Sequence, residues 1–509
     1  MKFLIAVASI LLMIACNPSS NSDANSPTVQ TDTTSQKHIT NAQGWIGTET
    51  VKTRFGDFEF KNGYPTEEAT KKLADALLFS RAIEIYLDQM HAVSWYNVWK
   101  GVAAAGTAKP NQLVIWENLM DAQTLLLTGN TETVYGLSSF DLKRDGPVVV
   151  ELPAMMLGGI SDMWQHEIAG IGPTGVDGGK GGKLLLLPPD HTGAVPKGYM
   201  PLKCTTFKMI LGVRGFQQEG KTDIAVALMK STKIYPLSQA ANPPETSFFN
   251  GSGVEVNTLF DDNFNFFKDL AELVETEPSN KLEEEEIFKL VSIGIEKGKP
   301  FNPDADRKAL FEEAAKTGSA MARANSFAST DPARLAYDDR RWEWAFIGGS
   351  ASWDSQGYIN TDRRAGFAYI AIGMSPAMVK KIVGGGSQYL WTPRDAKGEF
   401  LDGGKNYKMQ IPANIPVKNF WSVVVYDAES RSILRNGKPF PTVSQYTGPD
   451  QNADGSFDVY FGPDAPAGKE KNWIKTDSGK GWFVLLRFYG PLEPFFDKTW
   501  KPGDIEEIK

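Results

Sequence analysis

The sequence predicts a multi-domain, mainly β protein whose segments run in the order β, α, β. Its 509 residues correspond to about three domains of ordinary size. Short apolar runs punctuated by Gly and Pro fill the stretch after Pro110 and recur after Tyr337, which is the pattern of antiparallel strands. Between them, from about Thr258 to Asn325, the spacing of apolar residues lengthens to that of helices. With 41% hydrophobic and 22% charged residues the chain can bury a full core. Its 53 Lys+Arg against 61 Asp+Glu leave a formal charge of −8, so it has no basic field for phosphates and no nucleic-acid partner is expected.

The first residues read as an address. Met1 to Ile14, MKFLIAVASILLMI, carries one charge at Lys2 and then an apolar run too short to span a bilayer stably, followed by Ala15 and Cys16. This resembles a bacterial lipoprotein signal whose cysteine is acylated, with residues 1–15 removed; an ordinary signal peptide with a cysteine near its cleavage site is the alternative. Asn17 after the cysteine favours the outer membrane. Of the 24 residues from Asn17 to Thr40, 15 are Ser, Thr, Asn or Pro, too polar to offset the entropy of ordering them, so 16–40 reads as a flexible tether. The expected partner at this end is the membrane itself, through the lipid.

In the body, Thr66 to about Trp99 has an N-cap candidate, acids in the first turn and apolar residues Leu73, Leu77, Leu87 and Met90 at helical spacing. Val148–Leu152, Leu184–Leu187, Phe207–Val213 and Ile224–Met229 read as strands. Phe260, Phe264, Phe267, Ala271 and Val274 form one helical stripe, Ile287, Leu290, Val291 and Gly294 another, and a third helix runs from about Pro303 to Ala324. After Tyr337 the strands are Phe367–Ile372, Tyr407–Ile411, Phe420–Tyr426, Phe457–Phe461 and Trp482–Tyr489, which suggests a sandwich or jelly roll.

Tests for chemistry are mostly negative. The Gly-rich stretch Gly172 to Asp190 lacks the spacing, the Ser/Thr and the following helix of a phosphate loop, so it reads as turns. Gly348-Gly349-Ser350-Ala351-Ser352 ends in Ser where a nucleophile elbow needs Gly. The run from Asp450 to Asp458 resembles half of a calcium loop, but Phe461 stands where the bidentate acid belongs. Asp190 and His191 have no third ligand marked, and His91 beside Trp95 fits a core histidine. No metal and no cofactor is therefore expected. Cys204 opens an apolar strand, where a thiol serves as a small hydrophobe.

The last strands are more suggestive. In GWFVLLRFYG, strand parity puts Phe483, Leu485, Arg487 and Tyr489 on one face, so one guanidinium lies among apolar neighbours. It must pair or reach water. In FWSVVVYD, Trp421 and Asp427 share a face, and Tyr426 shares the other with Phe420 and Ser422. Two readings stand: a cleft in which Arg487, Tyr489, Trp421, Tyr426 and Asp427 bind a small anionic or sugar-like ligand, or an internal ion pair from Arg487 to a carboxylate such as Asp427.

VYGLSSFDLKRDGPVVVELP, LLLLPPD with VPKGYMPLK, and KSTKIYPL resemble the domain of unknown function 1254. FWSVVVYDAESRSIL, DGSFDVYFGP, NWIKT and GWFVLLRFYGPLEPFFDKTWKPGDI resemble its usual C-terminal companion, the domain of unknown function 1214. The resemblance implies an immunoglobulin-like β-sandwich, a small helical domain and a C-terminal jelly-roll-like β-sandwich. Placed on this chain, these occupy 41–255 with the leading helix, 256–330 and 331–509. The resemblance brings no catalytic residues. The expectation is a membrane-anchored envelope lipoprotein with a binding or scaffolding body. A hydrolase or lyase acting on an envelope or extracellular carbohydrate or ester is the competing reading.

Overall fold

The computed structural model describes residues 48–279, 282 and 284–509; the leader, Cys16 and the polar tether lie outside them. The chain divides into two compact units at Asp75/Ala76. In the first, strands Thr48–Thr53, Gly56–Lys61 and Tyr64–Pro65 form an antiparallel meander, and the helix Glu67–Val102 begins, with Thr66 Oγ1 accepting from Ala69 N at 3.2 Å. No described helix is long and apolar enough to cross a membrane.

The second unit is multi-domain and mainly β, with two sandwiches and a group of helices. In the N-terminal sandwich a four-stranded sheet, in the order Met200–Lys203, Gly182–Leu187, Val148–Leu152, Lys233–Pro236, faces a six-stranded one. The latter runs Ser247–Asn250, Gln112–Ile115, Thr133–Asp141, Lys208–Phe216, Leu157–Ser161, Glu167–Ile171. The period of two explains the core between them: Val148, Val150, Leu184 and Leu186 meet Val134, Leu211 and Val213, all fully buried. Cys204 lies in this core, its thiol pushed up to about 12 by burial.

The C-terminal sandwich repeats the scheme. Its inner sheet runs Glu343–Trp344, Ser387–Thr392, Trp482–Pro491, Val417–Asp427, Thr442–Ser444, and its outer sheet Trp473–Lys475, Phe457–Gly462, Asn406–Ile411, Ile505–Ile508. Trp421, Val423, Val425, Val484 and Leu486 point into the core between these sheets. The alternate residues Tyr389, Trp391, Val424, Tyr426, Phe483 and Leu485 leave the sandwich on the other side. There they join a central core with Leu137 and Ile210 of the N-terminal sandwich and with the helices. The inner sheet is thus buried on both faces, so Trp482–Pro491 is an almost continuous apolar run.

Helices Phe264–Thr276, Glu284–Ser292 and Ala305–Phe327 occupy the middle of the chain. Phe264, Phe267, Phe301 and Phe311 cluster with ring centroids 5.0–6.3 Å apart. Gly318 permits a close approach: a Cβ there would come within 2.6 Å of the Tyr86 ring.

Two expected strands are helices. Ile224–Met229 lies in the helix Asp223–Lys230, where Ala225, Val226 and Met229 are buried at helical spacing. Phe367–Ile372 falls at the end of the helix Thr361–Ile370, started by Asn360, whose side chain accepts from Arg363 N. In both, a short apolar run fits either period, and only the second carries a side-chain cap upstream that decides it, Asn360; Thr222 before the first makes no capping bond.

Candidate functional site

Arg487 sits on the face of the inner sheet that looks away from its own sandwich. Strand pairing sets it opposite Tyr389 on one side and Ser422 on the other. Its side chain is 3% exposed. Nη1 donates to the Tyr426 hydroxyl at 2.5 Å, and Nη2 donates to the carbonyl oxygens of Thr128 at 2.9 Å and Gly129 at 3.4 Å. Tyr426 in turn donates to Gly129 O at 2.6 Å. The loop after Leu127 belongs to the N-terminal sandwich, so Arg487 reads the backbone of one sandwich from the sheet of the other.

Tyr489, two residues on, shares that face. Its ring stacks on Phe420 with centroids 4.0 Å apart, and its hydroxyl accepts from Asn130 Nδ2 at 2.6 Å. Tyr389 bonds Ser387 Oγ at 2.6 Å. From the facing sheet comes a second guanidinium, Arg214, on the strand Lys208–Phe216. It is the cross-strand partner of Tyr135, whose hydroxyl is its hydrogen-bond partner, and it lies 6.0 Å from the Tyr489 ring centroid. Two arginines and four tyrosines therefore converge between the sandwiches.

Their charge is not balanced by acid. Among the described residues no carboxylate oxygen lies within 4.0 Å of either guanidinium. Glu132, buried nearby, is occupied otherwise: it accepts from Thr131 at 2.9 Å, Thr442 at 2.7 Å and Ser444 at 2.7 Å, all hydroxyls. Burial works against charge on both arginines, but the surrounding phenol oxygens outweigh it and hold both above the usual arginine value. Burial pushes Tyr426 up to about 12, with Arg487 pulling it back, and raises Tyr489 well above the usual tyrosine value. At neutral pH the cluster is thus two fixed positive charges among uncharged hydroxyls. Buried ions cost several kcal/mol each unless compensated. This is a donor-rich environment suited to an anion, since guanidinium forks match carboxylate and phosphate oxygens.

Of the five residues singled out in the sequence, Arg487, Tyr426 and Tyr489 come together here. Trp421 and Asp427 do not. Trp421 points into the sandwich core, 5.4 Å from the Phe457 ring. Asp427 closes a turn, its Oδ1 accepting from Glu429 N and Ser430 N at 2.8 Å, with Lys480 Nζ 3.6 Å from Oδ2. No Arg487–Asp427 pair forms, because the two side chains leave opposite faces of the sheet. Sequence reasoning missed Arg214, Tyr135 and Tyr389. Arg214 carried the same signal as Arg487, a single arginine at an alternating position in the strand KMILGVRGF.

Other sequence candidates have structural duties. His91 is buried, and burial lowers its pKa well below the usual value. Asp450 pairs with Lys471 at 3.1 Å, and Asp454 accepts from Ser456 Oγ at 2.6 Å, within a polar turn. Ser352 bonds Asp354 in an exposed loop.

Residues 110–236 match the family described as protein of unknown function DUF1254, and residues 386–493 match protein of unknown function DUF1214. No curated protein matches the chain in sequence. Among solved structures, the VPA0106 protein from Vibrio parahaemolyticus superposes with a TM-score of 0.52 at 18% identity, over 85% of this chain and 100% of that one. This likeness extends to the fold. A putative uncharacterized protein from Burkholderia cenocepacia aligns at 14% identity over 87% of this chain and 91% of its own, with a TM-score of 0.37.

Proposed function

For a chain that carries a DUF1254 domain followed by a DUF1214 domain, we propose a binding body that holds a small anion between its two sandwiches and is tethered to the cell envelope through Cys16. The observation that carries the anion reading is the pair Arg214, half-buried, and Arg487, buried, set among tyrosine hydroxyls with no carboxylate oxygen within 4.0 Å among the described residues. Arg487 is committed to carbonyls and Tyr426, whereas Arg214 has only the Tyr135 hydroxyl, so Arg214 is the charge an incoming oxyanion would satisfy. The tether reading rests on the apolar run before Cys16 and the polar stretch after it. A membrane-held binder with a donor-rich site needs no acid-base pair. That favours binding over hydrolase or lyase chemistry at this cluster.

A thermal-shift screen of the full chain against phosphate, sulfate, acetate, succinate and citrate tests the site. At least one should raise the melting temperature of the wild type and leave Arg214→Met unmoved. A shift that persists in Arg214→Met, or no shift with any of them, contradicts the placement. For the tether, radioactive palmitate fed to cells should label the wild type and not Cys16→Ala; equal labelling of the two refutes it.

A further inference from the structure

We propose that the cavity between the helices Ala305–Phe327 and Thr361–Ile370 and the C-terminal inner sheet is a separate binding site, and that it takes a neutral sugar. The cavity holds about 450 Å³, within the range of small-molecule sites. It has two kinds of wall. Trp344, Trp353, Phe367 and Trp391 give it flat aromatic faces. Trp353 and Trp391 are buried and fixed by ring contacts, Trp353 against Phe367 at 5.2 Å and Trp391 edge-on to Phe483 at 5.7 Å. The Trp353 indole Nε1 finds no acceptor in the protein.

The other wall is polar and already charge-balanced. Arg363 grips Asp331 with a fork, Nε to Oδ2 at 2.6 Å and Nη2 to Oδ1 at 3.2 Å, so its charge is spent. Around this pair, single groups remain over. Asn325 uses Nδ2 on Asp362 O at 2.7 Å and keeps Oδ1; Asn360 uses Oδ1 on Arg363 N at 3.0 Å and keeps Nδ2. Asp362, an exposed residue of the lining, has a carboxylate that makes no hydrogen bond or ion pair among the described residues. The lining thus includes two residues with spare acceptors and one with a spare donor besides the aromatic rings.

That combination selects a ligand class. An acyl chain would leave these polar groups unpaired on closing the cavity, which costs free energy. An anion would meet the Asp362 charge with Arg363 already neutralised. A pyranose lays its C–H face on an aromatic ring while its hydroxyls donate to Asp362 and Asn325 and accept from Asn360. Thr128 and Leu485 line this cavity beside Arg487, whose Nη2 holds Thr128 O from the other side. Arg214 is not among its lining residues, so the two sites can be separated by mutation.

Titrating the full chain by tryptophan fluorescence with glucose, galactose, N-acetylglucosamine, maltose and cellobiose, and with palmitate and benzoate in parallel, tests the assignment. At least one sugar should give a saturable change. Asp362→Ala and Asn325→Ala should each weaken it at least about tenfold with unchanged circular dichroism, and Arg214→Met should bind as the wild type does. Saturation by palmitate or benzoate in place of every sugar, no saturation by any probe, or wild-type sugar affinity in both Asp362→Ala and Asn325→Ala would overturn the proposal.

Discussion

Arg487 and Tyr426 stand on neighbouring strands of one sheet and are joined by an Nη1 to Oη hydrogen bond of 2.5 Å, and the same hydroxyl donates a hydrogen bond to Gly129 O of the other sandwich. One phenol thereby serves as acceptor for a buried charge and as donor across the seam. Tyr426→Phe removes both bonds, leaving Arg487 Nη1 short of its acceptor and Gly129 O with only the longer 3.4 Å bond from Arg487 Nη2. The expected cost is about 2–3 kcal/mol, read as a lower melting temperature, while Tyr426→Phe keeps the packing of the ring.

The two arginines should respond differently to removal. Arg487→Met strips three hydrogen bonds, two of which tie the sandwiches together, so the melting temperature should fall. Arg214→Met removes a half-buried charge whose one protein partner is the Tyr135 hydroxyl, and replacing a poorly paired charge by an apolar group of similar length is often close to neutral. Thermal melts of the two variants side by side check this: Arg214→Met should melt close to the wild type.

A titration signature comes from Glu343. Burial pushes its carboxyl up to about 7, although Arg334 and Arg394 pull it down. An acid whose folded value lies above its unfolded one binds more protons when folded. Its contribution is therefore fully present below the unfolded value near 4.5 and is lost as pH rises through about 7. The size is on the order of 3 kcal/mol. His91 acts in the opposite sense: its pKa is depressed, so stability is lost as pH falls below its unfolded value of 6.5. Urea unfolding from pH 5 to 8 should lose the decline toward alkaline pH in Glu343→Gln, and lose the acid-side decline in His91→Gln.

Thiol counting separates the fates of the two cysteines. Cys204 is 2% exposed with its thiol raised to about 12 by burial, so in the native protein it should react slowly or not at all with a thiol reagent. After unfolding, a lipid-modified Cys16 predicts one reactive thiol per chain, that of Cys204; two would contradict the lipid attachment.

Much of the sheet architecture was legible because its signals are local. Val148–Leu152 and Trp482–Tyr489 are β-rich runs bounded by turn residues, and strand parity alone put Arg487 with Tyr489 and Tyr426 with Phe420 on their faces. What parity cannot show is which body a face meets. The partners of Arg487 and Tyr489, namely Thr128, Gly129 and Asn130, are more than 350 residues away along the chain, and no pattern in either segment points to the other. Arg487, Tyr426 and Tyr489, expected to share a cleft, accordingly gather on the face of the inner sheet that looks away from its own sandwich. Asp427 illustrates the same limit: its side chain was available on paper to Arg487, but it closes its own turn. The cavity beside Trp353 and Trp391 was illegible because it is built from a helix that the apolar run Phe367–Ile372 disguised as a strand.

The central claim is that the uncompensated charge of Arg214 and Arg487 awaits an anion. Isothermal titration of the full chain with the anion that raises its melting temperature most, at low and high sodium chloride, tests it most directly. The account predicts saturable binding at one site per chain, weakened by salt and abolished in Arg214→Met while that variant stays folded; binding of undiminished affinity in folded Arg214→Met would contradict it.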